Sequence, residues 1–195
     1  MPKLTPCKNH EFEDSIFQIL NNKDEKFPLI SLIIENSRDI LLFDDVGEKK
    51  HVLEGHSSPV AVHGWLSSSK LLSISSKGNA RLWIIKGPRY DCVKIQQNFQ
   101  DPRSIVSISL SKQGKARFLI NHSNGSCEIY EDDEFTGLTT AIQGEILYST
   151  VFQEKIVLLF QKEGNLILGI YDSNLNELEK KKINYSVENV KKKPL

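Results

Sequence analysis

The sequence predicts an all-β fold made of four repeats of one unit, and three observations support this prediction. Aromatic residues within apolar runs recur at Phe43, Trp83, Tyr130 and Tyr171, at intervals of 40, 47 and 41 residues. Each repeat holds four β-prone runs separated by polar turns. No segment shows an apolar stripe with a period of 3.6 residues, so we expect few helices. Four hairpin-linked strands repeated at this period are typical of β-propeller blades.

The first two strands of each unit are predicted from short runs rich in Ile, Leu, Val and Phe. The first runs are SIFQIL, VAVHGWL, IVSISL and ILYSTVF, at residues 15–20, 60–66, 105–110 and 146–152. The second runs are PLISLII, KLLSIS, ARFLIN and KIVLLF, at residues 28–34, 70–75, 116–121 and 155–160. Polar residues such as NNKDEK and SSS link the first run to the second, as expected of a hairpin.

The third strands hold the recurring aromatic residues, in the runs ILLFDD, ARLWII, CEIYED and LGIYDS. Gly78, Gly125 and Gly164 precede three of them and supply the positive φ that tight hairpins need. The fourth runs are HVLEG, CVKIQQ, GLTTAI and the weaker NELEKKKINY. The predicted divisions are an N-terminal extension over 1–8, blades over 9–54, 55–99, 100–143 and 144–186, and a basic C-terminal tail over 187–195.

The second unit resembles the repeats of the WD-repeat family. Gly55 and His56 precede its innermost strand, and Trp83 lies in its third strand, 27 residues after His56. The resemblance implies a buried hydrogen-bond network that joins His56 and Trp83 to a hydroxyl of the second strand. The candidates for that hydroxyl are Ser73 and Ser75. The family places an Asp in the next turn, where this sequence has Lys77, so the expected network is partial and His56 is interpreted as structural.

The number of units raises the question of ring closure. A WD-repeat ring usually has seven blades, whereas four is the lower end of the range for propellers. The ring is therefore either closed with four blades or incomplete, and we favour an incomplete or divergent ring. An open arc would leave apolar side chains and unpaired backbone exposed at its two ends.

A narrower resemblance points towards one group within that family. The stretch VLEGHSSPVAVHGW, followed by KLLSISSKGNARLWII, is similar to repeats of the transducin-β-like corepressor subunits of histone deacetylase complexes. Those subunits are nuclear scaffolds, so the similarity implies a role in a nuclear chromatin complex. Their N-terminal dimerisation helices have no counterpart in this sequence.

Composition and charge favour an intracellular globular protein. The chain has 195 residues, of which 39% are hydrophobic, and 25 Lys and Arg balance 25 Asp and Glu. Without a net charge, no global field attracts the chain to nucleic acid or to an anionic membrane. No apolar run is long enough for a signal peptide or a membrane span. The widely spaced Cys7, Cys92 and Cys127 fit a reducing compartment better than a disulfide framework.

Two lysine triplets, Lys180–Lys182 and Lys191–Lys193, have two interpretations. They resemble a bipartite nuclear-import segment, and they are also typical of a solubilising tail. We expect the protein in the nucleus or the cytoplasm, and the triplets slightly favour the nucleus.

Catalytic and metal sites are not expected. His51, His56 and His63 lack the spacing of a known metal pattern, and no glycine-rich loop for phosphate is present. The serine-rich stretches lack the pattern of a nucleophile elbow. The sequence therefore predicts no enzyme activity, no cofactor and no metal.

The function is expected to lie on the surface. The family binds peptides or domains on the face formed by the connections between blades and between the middle strands of each blade. The candidate partner-binding residues are Arg38, His63, Trp65, Lys77, Arg103, His122 and Tyr148. Trp65 also fits the core, because it lies at the end of an innermost strand.

The sequence thus favours a non-enzymatic protein-interaction scaffold within a larger complex, with another chain completing the propeller. One alternative is the substrate-recognition subunit of a ubiquitin ligase or another assembly, which a helical adaptor segment would support. A second is a propeller enzyme with a site in the central channel. That alternative requires carboxylates or histidines repeated at the starts of the innermost strands, where only Asp14, His56 and Glu145 are found.

Overall fold

The computed structural model describes residues 11–22, 28–110, 116–131 and 134–183. All regular structure in these ranges is β-strand, in sixteen strands. Blade 1 contains β1 (Ile16–Asn21), β2 (Leu29–Ile34), β3 (Ile40–Asp44) and β4 (Lys49–Leu53), and blade 2 contains β5 (Val60–Trp65), β6 (Lys70–Ser75), β7 (Asn79–Lys86) and β8 (Arg89–Asn98). Blade 3 contains β9 (Pro102–Leu110), β10 (Ala116–His122), β11 (Ser126–Glu131) and β12 (Glu134–Ala141), and blade 4 contains β13 (Glu145–Phe152), β14 (Lys155–Lys162), β15 (Asn165–Tyr171) and β16 (Glu177–Ile183).

Each blade is an antiparallel sheet in which strands that follow each other in sequence lie side by side. The predicted fold class is confirmed, because these four four-stranded sheets are arranged as the blades of a β-propeller. The sheets lie inside the four predicted blade ranges. Across the described ranges, no helix is long and apolar enough to cross a membrane. The predicted extension over 1–8, the tail over 187–195, Cys7 and Lys191–Lys193 lie outside the described residues.

The strands match the predicted runs, with differences at their ends. β9 begins at Pro102, three residues before the predicted run. β16 is a full strand, although its sequence ELEKKKI is polar except at Leu178 and Ile183. Its register with β15 extends from Leu166↔Ile183 to Tyr171↔Glu177, so backbone pairing holds this strand. Lysines on an outer edge strand also discourage pairing with further strands.

The turns between the second and third strands follow the prediction. Gly78, Gly125 and Gly164 have φ values of 80°, 83° and 75°. The turn of blade 1 has no glycine, and Asn36 takes a φ of 60° there. Asparagine tolerates this left-handed conformation better than most other residues, so all four hairpins close.

The hydrophobic core consists of three clusters, each shared by two adjacent blades. Ile33, Ile40, Leu42 and Leu53 of blade 1 pack with Trp65, Leu71 and Trp83 of blade 2. Leu72, Ile74 and Leu82 of blade 2 pack with Phe118, Ile120 and Tyr130 of blade 3. Leu119 and Ile129 of blade 3 pack with Leu158, Phe160 and Tyr171 of blade 4. Within the residues that the structure describes, no such cluster joins blade 4 to blade 1, so the two middle blades are covered on both faces and the end blades on one.

The recurring aromatic residues have one orientation. Trp83, Tyr130 and Tyr171 each pack in the cluster that their blade shares with the preceding blade. Phe43 is also buried, but it lies outside the cluster shared with blade 2. The ring of Phe12 packs edge-on against it at a centroid distance of 6.4 Å. Blade 1 therefore places its aromatic residue on the face where a preceding blade would stand.

The innermost strands form the inner wall of the propeller, which consists of β1, β5, β9 and β13. They contact one another in series, β1 with β5, β5 with β9, and β9 with β13. All four line one cavity of about 730 Å³. The approach of β5 to β9 requires Gly64, because a Cβ there would lie 2.8 Å from the carbonyl oxygen of Ile105.

Candidate interaction surface

The histidine and tryptophan of blade 2 share one buried hydroxyl. The indole Nε1 of Trp83 donates to Ser73 Oγ at 2.7 Å, and His56 Nε2 lies 2.7 Å from the same oxygen. The rings of His56 and Trp83 also pack edge-on at 6.1 Å. Ser73 and Trp83 are fully buried and His56 is nearly so. This arrangement ties the loop before β5 to the second and third strands of the blade.

Of the two serines that were candidates for the shared hydroxyl, Ser73 is the one in the network. Ser75 is fully buried, but its hydroxyl makes no hydrogen bond among the described residues. Lys77 is exposed in the turn where the family has Asp. The second ring nitrogen of His56, Nδ1, likewise has no partner in the described part of the chain. An acidic partner at this turn is therefore missing, and the network is partial.

The residues around His56 keep its ring neutral. Burial, together with the positive charge of Arg81, lowers the pKa of His56 to about 4. Gly55 has a φ of 150°, and a Cβ there would lie 3.1 Å from Arg81 Nη1. A glycine before the histidine therefore lets the loop pass close to the guanidinium group of Arg81.

A second buried network, which sequence reasoning missed, joins blade 1 to blade 2. Trp65 Nε1 donates to Ser31 Oγ at 2.9 Å, and His63 Nε2 lies 2.8 Å from the same oxygen. His63 Nδ1 lies 2.7 Å from Gln18 Oε1 and donates a hydrogen bond to it. Burial lowers the pKa of His63 to about 3, so the ring is neutral. Nε2 then accepts a hydrogen bond from the hydroxyl of Ser31.

A sequence signal for this second network was present. His63 and Trp65 are two residues apart on β5, so they share one face of the strand. Ser31 interrupts the apolar run of β2 at the position that faces them. The pairing between blades follows only from the three-dimensional arrangement.

Three of the predicted partner-binding residues are buried. The surface assignment of His63 and His122 was wrong, and for Trp65 the alternative interpretation as a core residue is the one that the structure supports. His63 is fully buried, Trp65 is 8% exposed and His122 is 6% exposed. The first two belong to the network between blades 1 and 2. His122 Nδ1 donates to the carbonyl oxygen of Gln100 at 2.7 Å, which holds the connection between blades 2 and 3.

The other four residues of that set are exposed, and two of them, Arg103 and Tyr148, line the cavity between the innermost strands together with Trp65. Arg38 and Lys77 lie in the turns between the second and third strands of blades 1 and 2. Tyr148 is 62% exposed on β13, where it pairs with Leu159 on the face turned away from blade 3. Arg103 lies at the start of β9 and lines a groove. Of the predicted set, Arg103 is the residue that lines this second groove, at the connections between blades.

This groove, which we call the connection groove, has a volume of about 530 Å³. It lies where connections between blades meet the turns between the second and third strands. Its lining residues are Phe17, Ile34, Glu35, Asn36, Pro59, Val60, Ala61, Ser76, Asp101, Pro102, Arg103 and Ser123. They come from blades 1, 2 and 3, so no single repeat contains the site.

Two side chains give the connection groove its chemical character. Phe17 is 61% exposed, an unusual state for a phenylalanine. The guanidinium group of Arg103 is exposed and forms no hydrogen bond or ion pair within the described residues. Glu35 and Asp101 add negative charge to the same lining. The groove therefore offers an apolar ring, an available cation and two carboxylates.

The other His, Cys, Asp and Glu side chains of the described ranges are relevant to two kinds of site, a metal site and a reactive thiol. In the described ranges, no three His, Cys, Asp or Glu side chains are grouped so that they could hold a metal ion. Cys92 and Cys127 are free thiols, and burial raises the pKa of Cys127 to about 12. That thiol stays protonated at neutral pH and is a poor nucleophile.

Comparisons with known proteins bear on the fold. No protein-family model and no curated protein matches this chain. Among solved structures, U3-55K matches with a TM-score of 0.66 and 14% sequence identity. This chain shares its fold with a WD-repeat protein. The match covers 87% of this chain and 52% of the U3-55K chain, so the protein spans about half of that neighbour. U3-55K is one of 541 matching solved chains, so the similarity does not single out one protein.

Proposed function

We propose that this protein is a non-enzymatic scaffold that binds a segment of another protein in the connection groove. The observation that carries the proposal is that one groove holds the exposed ring of Phe17 and the guanidinium group of Arg103, which has no ion-pair partner among the described residues. Aromatic and arginine side chains dominate binding hot spots in protein interfaces. The propeller fold, shared with a WD-repeat protein, is consistent with this role.

The chemistry of the groove suggests the kind of segment it binds. An apolar side chain of the partner would cover the ring of Phe17. A carboxylate of the partner would pair with Arg103, which presents a planar pair of donors for that purpose. Glu35 and Asp101 would disfavour a second acidic group and would favour a basic residue nearby. We therefore expect a peptide with an apolar residue flanked by charges of both signs.

The state of the histidines supports a role without catalysis. His56 and His63 have pKa values of about 4 and about 3, and both rings are held in buried hydrogen bonds. A general base works best with a pKa near the operating pH and with access to the substrate. These two rings meet neither condition.

The wider setting is also a proposal. We propose that the scaffold works inside a multi-subunit complex within the cell, in the nucleus or the cytoplasm. Lys180–Lys182 lie on the exposed strand β16, where an import receptor has access to them. The support for proposing a chromatin complex is the sequence similarity of blade 2 to corepressor subunits.

Affinity purification of the tagged protein followed by mass spectrometry tests the proposed function. The wild-type protein should recover a reproducible set of partners. Arg103→Glu should reduce the recovery of the direct partner by about tenfold, since replacing a cation with an anion reverses the pairing at a hot spot. Phe17→Ser should weaken the same partner.

The matched control is Arg89→Glu, which makes the same charge change at an exposed position on β8, outside the groove. It should recover the same partners as the wild-type protein. Equal losses with Arg89→Glu and Arg103→Glu, or full recovery with Arg103→Glu and Phe17→Ser, would contradict binding in the connection groove.

A further inference from the structure

The two ends of the row of blades expose apolar surface on their innermost strands. Nine large hydrophobic side chains are exposed in the described residues, and six of them belong to these two strands. On β1 they are Ile16, Phe17 and Ile19, and on β13 they are Leu147, Tyr148 and Phe152. Such a concentration marks an interaction surface rather than scattered surface residues.

The outer face of blade 4 is apolar across its middle strands. Tyr148 pairs with Leu159, and Leu159 pairs with Leu168, so the three side chains form a row on the face turned away from blade 3. The next row contains Val157 and Ile170. An antiparallel sheet with one face in water normally places polar residues on that face. The outer face of blade 4 therefore has the apolar composition of a face that is covered by another blade.

The outer face of blade 1 is its counterpart. Ile19 pairs with Leu32, and Leu32 pairs with Leu41, on the face turned away from blade 2. Phe12 covers the part of this face around Phe43. Nearer the cavity, Ile19 is 57% exposed. Leu32 is only 7% exposed, so the part of this face that is available for contact is its innermost strand, β1.

We propose that a second copy of this chain docks head to tail on these two faces, so that β13 of each copy packs against β1 of the other. The contacts from β1 to β5, from β5 to β9 and from β9 to β13 form a series that this docking continues. Each copy has one outer face of blade 1 and one outer face of blade 4. Two copies related by a two-fold axis therefore cover all four faces in two equal interfaces. The ring then has eight blades, the upper end of the usual range.

Two further observations favour a second copy. The chain matches about half of U3-55K at a TM-score of 0.66, so its blades follow the curvature of a longer chain. The matched part is 52% of the U3-55K chain, which thus contains about as much chain again, and a second copy of this protein would supply a similar length. The formal net charge is zero, so two copies approach without mutual repulsion.

Size-exclusion chromatography with light scattering, over a series of concentrations, tests this docking. The wild-type chain should have twice the monomer mass of 22.2 kDa at micromolar concentrations. Ile19→Glu and Tyr148→Glu should each raise the dissociation constant of the dimer by about a hundredfold, because either change places a charge in both interfaces. Arg89→Glu, away from both faces, should leave the mass unchanged.

A mixture of the two variants tests the head-to-tail arrangement. The intact β13 of the Ile19→Glu chain meets the intact β1 of the Tyr148→Glu chain, so the mixture should regain dimers through one restored interface. Circular dichroism checks that each variant is folded, and Ile19→Ser and Tyr148→Ser replace any that is not.

Three results would overturn the proposal. A folded wild-type monomer would assign the two faces to a different protein or to further blades. A dimer that only one of the two variants weakens would show a symmetric contact between like ends. Masses that increase beyond the dimer would show open chains instead of a closed ring.

Discussion

Blade 2 and blade 4 carry the same kind of residue on the same face but in different environments. In blade 2, Leu72 is fully buried and Leu82 is 8% exposed, because blade 3 covers them. In blade 4, Leu159 and Leu168 occupy the corresponding face and are partly exposed. The difference shows that the position of a blade in the row, and not its own sequence, determines how much of its apolar surface is stabilising.

The largest expected effect compares two adjacent leucines on β14. Leu158 is fully buried against blade 3, whereas Leu159 points to the outer face. Leu158→Ala should lower the free energy of unfolding by about 2–5 kcal/mol, since it leaves a cavity in a shared core. Leu159→Ala should cost about 1 kcal/mol or less. Urea denaturation of both variants, at concentrations where the protein is monomeric, provides the measurement, and equal losses would contradict the comparison.

A smaller effect separates two buried serines on β6. Ser73→Ala leaves Trp83 Nε1 and His56 Nε2 without a partner in a buried site, which should cost about 1–3 kcal/mol. Ser75→Ala removes a buried hydroxyl that makes no hydrogen bond in the described residues, so stability should not fall. Thermal unfolding of the two variants distinguishes them. A larger loss for Ser75→Ala would show that the network does not stabilise blade 2.

A third comparison, between the two buried histidines and their unfolded state, gives a dependence of stability on pH that is gradual within each pH unit. His56 and His63 have folded-state pKa values of about 4 and about 3, below the value of about 6.5 for an unfolded histidine. Above pH 6.5 both histidines are neutral in the folded and in the unfolded chain, so their contribution to stability is fully present. As the pH falls below 6.5, the unfolded chain binds protons that the folded chain does not, so stability falls by up to about 1.4 kcal/mol per pH unit for each ring.

Urea denaturation at several pH values between about 7 and 4 measures this slope. His63→Gln removes one of the two titrating rings and should reduce the slope by about half. An unfolding free energy that stays constant over this range in the wild-type protein would contradict the buried neutral state of both rings.

The fold was predictable because the spacing of the repeat, the apolar runs and the turn residues all predicted the same strands. The spacing of Phe43, Trp83, Tyr130 and Tyr171 identified the repeat, and Gly78 and Gly125 marked turns that the structure contains. Backbone pairing was harder to predict where the side chains are polar. β16 forms although ELEKKKI has little apolar content, because its hydrogen bonds to β15 do not depend on the side chains.

The candidate site was less predictable, for a reason that His63 and Trp65 illustrate. They were grouped with the exposed residues that flank the loops of the predicted binding face. Blade 2 has a neighbour on each side, however, so both faces of its innermost strand are covered. The alternation of apolar and polar side chains along one strand does not show that a second blade covers its other face. The connection groove combines Phe17 with Arg103, which are 86 positions apart in the chain. The spacing of residues within one repeat could not predict that Phe17 and Arg103 line the same groove.

Amide hydrogen exchange followed strand by strand, in the monomer at low concentration, tests most directly the claim that shared cores stabilise the blades. Strands between two cores, such as β6 and β10, should exchange slowest, and β1 and β16 at the ends should exchange fastest. Uniform protection across the four blades, or slower exchange in blade 4 than in blade 2, would contradict the account.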